Sequence, residues 1–209
     1  MNCPLCFSDK TSFYIRAENR EYWSCKSCEL IFVSKKHLLP KEEELKRYDL
    51  HENHIEDIKY RQFLYRAIQP ILERVPLGKK GLDYGSGPSP VLATLFEIEG
   101  YKMDFYDPYY AHNIEIYNKT YDFISLTEVA EHFYKSGQEF KQLFSLLKKG
   151  GYLIVMTHRT DNVSDFANWY YQKDATHVVF YNKKSFILLA EDQGVTLEFI
   201  DDRIVLFKK

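Results

Sequence analysis

From residue 79 onward, apolar positions follow two alternating rhythms. Short apolar runs at 81–84, 101–106, 121–126 and 152–157 have the length and flanking turns of buried strands. Between them Val91–Ile98 and the material from 127 through Leu147 repeat apolar residues at helical spacing, as does 185–192 further on. Gly150-Gly151 supplies the turn before the fourth run. Two last runs, 195–200 and 203–207, close around Asp201-Asp202 as a strand pair. This alternation predicts an α/β fold: a Rossmann-like, doubly wound, largely parallel sheet with a C-terminal antiparallel pair.

The first part of the chain reads differently. Residues 1–34 hold β-type runs at 12–15 and 30–33 and all four cysteines. Residues 40–76 read as helix. Pro40 suits a helix start, and Phe63, Leu64, Ala67, Ile68, Ile71 and Leu72 recur at helical spacing. Pro70 stands where it would kink or break that helix. The expected units are thus 1–36, a helical segment 37–78, and the α/β domain 79–209.

Cys3-x2-Cys6 and Cys25-x2-Cys28 are two knuckles, each offering a pair of thiolates on a tight turn. Facing each other they complete a tetrahedral four-thiolate site that zinc accepts without strain, a small zinc ribbon. Structural zinc contributes roughly 10–16 kcal/mol, which replaces the core that so short a unit lacks. Four protein ligands leave no open position, so this zinc is structural; iron is the lesser occupant of the same cage.

Composition narrows the function. A hydrophobic content of 45% argues against global disorder. Net charge is −2, from 30 acidic and 28 basic residues, so broad attraction to nucleic acid or anionic membrane is not expected. No apolar run reaches the roughly 20 residues of a membrane span. No secretory signal is visible, and unpaired cysteines suit a reducing compartment, so a soluble cytoplasmic protein is expected.

Leu82-Asp83-Tyr84-Gly85-Ser86-Gly87-Pro88 lies between a strand and a helix. Gly85 and Gly87 let the backbone pass close to a ligand, and the following helix N-terminus presents free N–H groups. The next strand ends at Asp107, where a carboxylate can accept hydrogen bonds from a ribose diol. Many nucleotide-binding folds share this layout. A nicotinamide-dependent oxidoreductase and a non-catalytic ribbon with a nucleotide-binding module are therefore alternatives.

The chain resembles class I S-adenosylmethionine-dependent methyltransferases, in particular a bacterial group with an N-terminal zinc ribbon. The resemblance rests on the paired knuckles, the 82–87 loop, Tyr106-Asp107-Pro108, Thr127-Glu128-Val129-Ala130-Glu131-His132, and Leu147-Lys148-Lys149-Gly150-Gly151-Tyr152-Leu153. It implies S-adenosylmethionine as cofactor, with Asp83, Gly85 and Gly87 around its methionine part and Asp107 on its ribose. Ser86, Pro108, Thr127 and Glu128 count with them as cofactor contacts. In the resembling group the region of Tyr48 covers the cofactor; His51 and His54 stand beside it. One departure is marked. Only residues 108–121 separate Asp107 from Asp122, room for a loop and a short strand at 113–117, so no adenine-binding acid is assigned.

Glu128, Glu131 and His132 stand at i, i+3 and i+4, one face of a helix if the segment is helical. Three readings stay open: a structural role, His132 as general base, and a divalent-ion site. The motif resembles the E-V-x-E-H of ubiquinone-type O-methyltransferases, where this triplet is associated with a divalent ion, so Mg2+ is the ion considered. His177 is placed to orient the acceptor, and Trp169, Tyr170 and Tyr171 to stack on a planar one. The expected partner is a small-molecule methyl acceptor; neither the acceptor nor the oligomeric state is legible.

Overall fold

A computed structural model describes residues 1–50 and 53–209; His51 lies outside the described residues. Strands β1 (Thr11–Ala17), β2 (Arg20–Cys25) and β3 (Ile31–Val33) open the chain, followed by helices α1 (Lys41–Tyr48) and α2 (Ile58–Leu72). Strand β4 (Lys80–Tyr84), helix α3 (Val91–Ile98), strands β5 (Lys102–Tyr106) and β6 (Tyr121–Thr127), helix α4 (Ser136–Leu146) and strand β7 (Leu147–Met156) come next. The chain ends with α5 (Tyr170–Lys173), β8 (Val179–Phe180), α6 (Lys183–Gln193), β9 (Thr196–Phe199) and β10 (Ile204–Lys208).

The main sheet has the order β5-β4-β6-β7-β10-β9. Its first four strands are parallel, and β10 runs antiparallel to both β7 and β9. This is the doubly wound sheet with a closing antiparallel pair expected from the pattern. Strand periodicity sorts the side chains between two layers. Phe123, Ile154, Met156, Ile204 and Leu206 pack under the apolar faces of α2 and α3. Ile124, Leu126, Leu153, Val155 and Phe207 face the opposite layer, with residues of α4, α6 and the N-terminal unit.

Three expectations are corrected. The 40–76 helix is two helices: α2 restarts at Ile58 because Asp57 caps it, accepting from the Lys59 and Tyr60 N–H groups at 2.8 and 3.2 Å. Pro70 sits within its last turn and removes the N–H that would meet the Arg66 carbonyl, yet the helix runs on to Leu72 before it ends. The strand expected at 113–117 is a 3-10 turn, Ile114–Asn118, opened by the Asn113 side chain on the Glu115 N–H; β5 is left as the sheet edge. The face of Glu128, Glu131 and His132 is not α-helical either. Glu128 has φ 53° and only Ala130–His132 form a 3-10 turn.

The cysteine unit is fused to the rest. Its sheet, β1-β2-β3-β8, takes its fourth strand from the α/β region, pairing Ile31 with Phe180 and Phe32 with Val179. The capping box of α6 reaches into it. The Ser185 hydroxyl donates to the Cys28 carbonyl at 3.0 Å, and the Asn182 amide to that of Glu29 at 2.7 Å. On α4, the Gly137 N–H meets the Pro4 carbonyl at 2.8 Å; a Cβ at Gly137 would lie 2.1 Å from the Leu5 oxygen. No helix among the described residues is long and apolar enough to cross a membrane.

Candidate active site

The carboxyl ends of β4, β5, β6 and β7 open into one cavity of about 790 Å³, within the range of small-molecule sites. The loop after β4 forms its floor. Gly85 has φ 87°, and a Cβ there would lie 2.4 Å from the Val129 side chain, so only glycine serves. The Asp107 carboxylate clasps this loop to its own, accepting from the Gly87 N–H at 2.9 Å and those of Tyr109 and Tyr110 at 2.8 and 3.1 Å. Three of its roughly four acceptor positions are thereby used.

Gly85, Ser86, Gly87, Asp107 and Pro108 line one part of the cavity, and Tyr48, Thr127, Glu128, His132 and His177 another. Asp83 and Glu131 do not belong to its wall. Burial pushes the Asp83 carboxyl up to about 7, against hydrogen bonds from the Ala93 N–H and the Ser125 side chain. Glu131 is fully buried, accepting from the Tyr171 hydroxyl and, at 3.0 Å, from that of Thr157.

Where β6 ends, polar atoms face the cavity unsatisfied. Thr127 Oγ1 and Glu128 Oε1 are buried without a hydrogen-bond partner. Burial, then the neighbouring Glu131, raises the Glu128 carboxyl to about 8. Its left-handed backbone is costly for a non-glycine residue, so backbone strain and unmet hydrogen bonding coincide at one cavity-lining position.

Two imidazoles follow. His132 Nδ1 lies 3.0 Å from the Thr176 carbonyl oxygen, and His177 Nδ1 2.7 Å from that of Tyr171. A carbonyl only accepts, so each Nδ1 carries the proton and each neutral ring leaves Nε2 bare. Burial lowers the pKa of both, to about 3 for His177, and keeps them neutral. The rings meet edge to face with centroids 4.8 Å apart, and the Tyr48 ring lies against His132 at 5.4 Å.

Glu131, His132 and His177 bring donor atoms within 4.8 Å of one another, whereas Glu128 is not in that group. The expected divalent triplet is thus not the one assembled. Both Glu131 oxygens already accept hydrogen bonds, and magnesium prefers an all-oxygen octahedron.

Several cavity residues escaped the sequence reading. Glu44 of α1 is buried and accepts from the Tyr48 and Tyr109 hydroxyls at 2.8 and 2.5 Å. Asp49 accepts from Tyr110 at 2.6 Å, so two tyrosines after β5 hold α1 over the cavity. His158, just beyond β7, is held by the Tyr170 hydroxyl at 2.6 Å. Its place past the carboxyl end of a parallel strand was the available signal. His54 is not among the lining residues.

Away from the cavity, Cys3 and Cys28 have sulfurs 3.6 Å apart and Cys6 and Cys25 3.5 Å, and all four lie within 4.8 Å of one another. Disulfides need about 2.0 Å. Tetrahedral zinc thiolate bonds of about 2.3 Å put sulfurs roughly 3.8 Å apart, so the cage fits zinc.

The family model described as "Methyltransferase domain" matches residues 57–198. The chain belongs to this family. Its enzyme class is that of the S-adenosylmethionine-dependent methyltransferases. Solved structures share the fold at low identity. A 1,6-didemethyltoxoflavin-N1-methyltransferase from Burkholderia thailandensis, with S-adenosylhomocysteine bound, is 10% identical at a TM-score of 0.58 over 95% of this chain and 99% of that one. A methyltransferase from Archaeoglobus fulgidus is 16% identical at 0.54 over 71% and 94%. Magnesium protoporphyrin IX methyltransferase from Synechocystis is 11% identical at 0.52 over 80% and 93%. No curated protein matches the chain.

Proposed function

We propose that this methyltransferase binds S-adenosylmethionine across the Gly85–Gly87 loop and Asp107, and transfers its methyl group to an oxygen of a small-molecule acceptor, with His132 as general base. The observation that carries this reading is one cavity joining the glycine loop, the unpartnered Thr127 and Glu128 oxygens and the bare Nε2 of His132. The glycines admit the methionine part at close range. Asp107 keeps one acceptor position for a ribose hydroxyl, a charge-assisted contact. Glu128 and Thr127 gain partners when the site fills.

The sulfonium methyl is electrophilic in itself. The chain's task is to hold the acceptor oxygen in line, an orientation effect of roughly 7–11 kcal/mol, and to remove its proton. His132 Nε2 takes that proton, and the Thr176 carbonyl stabilises the imidazolium through Nδ1–H. His177, held neutral, can accept a second hydrogen bond from the acceptor. Tyr170 and Tyr171 supply aromatic wall for a planar molecule.

The reading assigns zinc to Cys3, Cys6, Cys25 and Cys28 as a structural ion, and it uses no magnesium. It is tested with S-adenosylmethionine labelled in the methyl group and a small-metabolite extract. Wild type should label an oxygen of a small molecule, and His132→Ala should bind S-adenosylhomocysteine but transfer roughly 10²–10⁴-fold more slowly. Equal transfer by both proteins would overturn the base assignment.

A further inference from the structure

Arg20 belongs to the cysteine unit, far in sequence from the loop of residues 172–177, yet it is buried, at 8% exposure. All its acceptors are main-chain carbonyls of that loop. Nη1 donates to Ala175 and His177 at 3.2 and 3.1 Å; Nη2 donates to Asp174 at 3.0 Å and to Gln172. Its guanidinium lies 5.3 Å from the centre of the Tyr22 ring, whose hydroxyl donates to the Gln172 side chain at 2.6 Å.

The register of these contacts matters. The Ala175 and His177 carbonyls flank Thr176 and point to Arg20, while the Thr176 carbonyl points the other way, to His132 Nδ1 at 3.0 Å. Asp174 to His177 is a tight turn, closed by the His177 N–H on the Asp174 carbonyl at 3.2 Å, so holding the carbonyls on either side of Thr176 restrains the peptide between them. Four carbonyl dipoles converging on one point repel unless a cation sits there, and charged hydrogen bonds to them are strong.

From this geometry we propose that Arg20 is a positioning residue: it holds the 172–177 loop in the one conformation that keeps His132 and His177 protonated on Nδ1 and bare on Nε2. The N-terminal unit is then a working part of the active site. The importance of those bare nitrogens rests on the methyl-transfer reading above; the positioning itself does not.

Arg20→Lys tests it. Lysine keeps the charge and three donors but not the planar fork, so it cannot meet all four carbonyls. In 15N-histidine spectra, wild type should show both imidazoles as Nδ1–H tautomers and Arg20→Lys a mixture. Amide exchange over 172–178 should quicken roughly tenfold, an added local opening, with affinity for S-adenosylhomocysteine within about threefold of wild type. Tyr22→Phe, which removes only the bond to Gln172, should shift the same signals less. Unchanged tautomers and local exchange in a folded Arg20→Lys protein would overturn the proposal. So would exchange that quickens evenly along the whole chain, the mark of lost global stability. Failure of wild type to bind S-adenosylhomocysteine would count against the methyl-transfer reading instead, because the tautomer and exchange readouts need no cofactor.

Discussion

The Nδ1 of His132 lies 3.0 Å from the carbonyl oxygen of Thr176, and this contact decides which nitrogen of the ring can act. With the proton fixed on Nδ1, Nε2 is the nitrogen that the proposed mechanism uses as base. Its removal should therefore fall on turnover and not on cofactor binding. His132→Ala is expected to lower the methyl-transfer rate about 10²–10⁴-fold while S-adenosylhomocysteine affinity by calorimetry stays close to wild type. His132→Gln should recover little, because an amide cannot take up a proton. A parallel loss of affinity and rate would place His132 in cofactor binding.

Asp107 is predicted to serve both loop and ligand. It clasps the Gly87 N–H at 2.9 Å and retains room for a ribose hydroxyl. Asp107→Ala should cost roughly 1.5–3 kcal/mol of cofactor binding, about a 10- to 150-fold weaker dissociation constant. Its three N–H partners belong to Gly87, Tyr109 and Tyr110, which line the cavity, so water can meet them and thermal unfolding should shift little. Calorimetric titration with S-adenosylhomocysteine checks the first expectation, and a melting curve without ligand the second.

The layout of these residues was legible to different depths. The loop from Leu82 to Gly87 and the strand end at Asp107 could be read because strand, glycine turn and helix each leave a local pattern in the sequence. The fourth strand of the cysteine unit could not. Val179–Phe180 is two residues long, and its pairing with β3 depends on contacts across the whole chain. Helical spacing placed Glu128, Glu131 and His132 on one face, but Glu128 takes a left-handed backbone and Glu131 turns inward to Thr157 and Tyr171. Spacing is informative only once the period is right. Arg20 and Glu44 gave no signal, since a buried charge is recognisable only by partners brought from elsewhere.

Zinc in the four-cysteine cage should stabilise more than its own unit. Metal analysis is expected to give about one zinc per chain. Stripping it with a chelator should loosen β1–β3 and, through the β3–β8 pairing and the Cys28–Ser185 contact, the start of α6. Faster amide exchange at 179–186 as well as in the knuckles is the expected result. A Cys25→Ser and Cys28→Ser double variant that keeps full zinc content would refute the assignment.

Above about pH 6.5 the cofactor-free protein should become less stable as pH rises. The cause is Glu128, whose buried carboxyl is raised to about 8, with the desolvated Asp83 and Glu131, both at about 7, adding to it. A carboxyl that titrates higher when folded binds more protons in the native state than in the unfolded chain. Its contribution is fully present below the unfolded value near 4.5 and is lost as pH climbs through the folded value. Between pH 5 and 8 each such group removes at most about 1.4 kcal/mol per pH unit. His132 and His177, held neutral by burial, work the other way below their unfolded value near 6.5, so the midpoint of the cofactor-free protein should decline between about pH 6.5 and 8. Glu128→Gln keeps the shape without the charge, so its midpoint should decline less steeply and lie above wild type at pH 8. Should the two curves run parallel from pH 5 to 8, Glu128 is not the group that titrates, and the unsatisfied oxygen at its tip is being met by water.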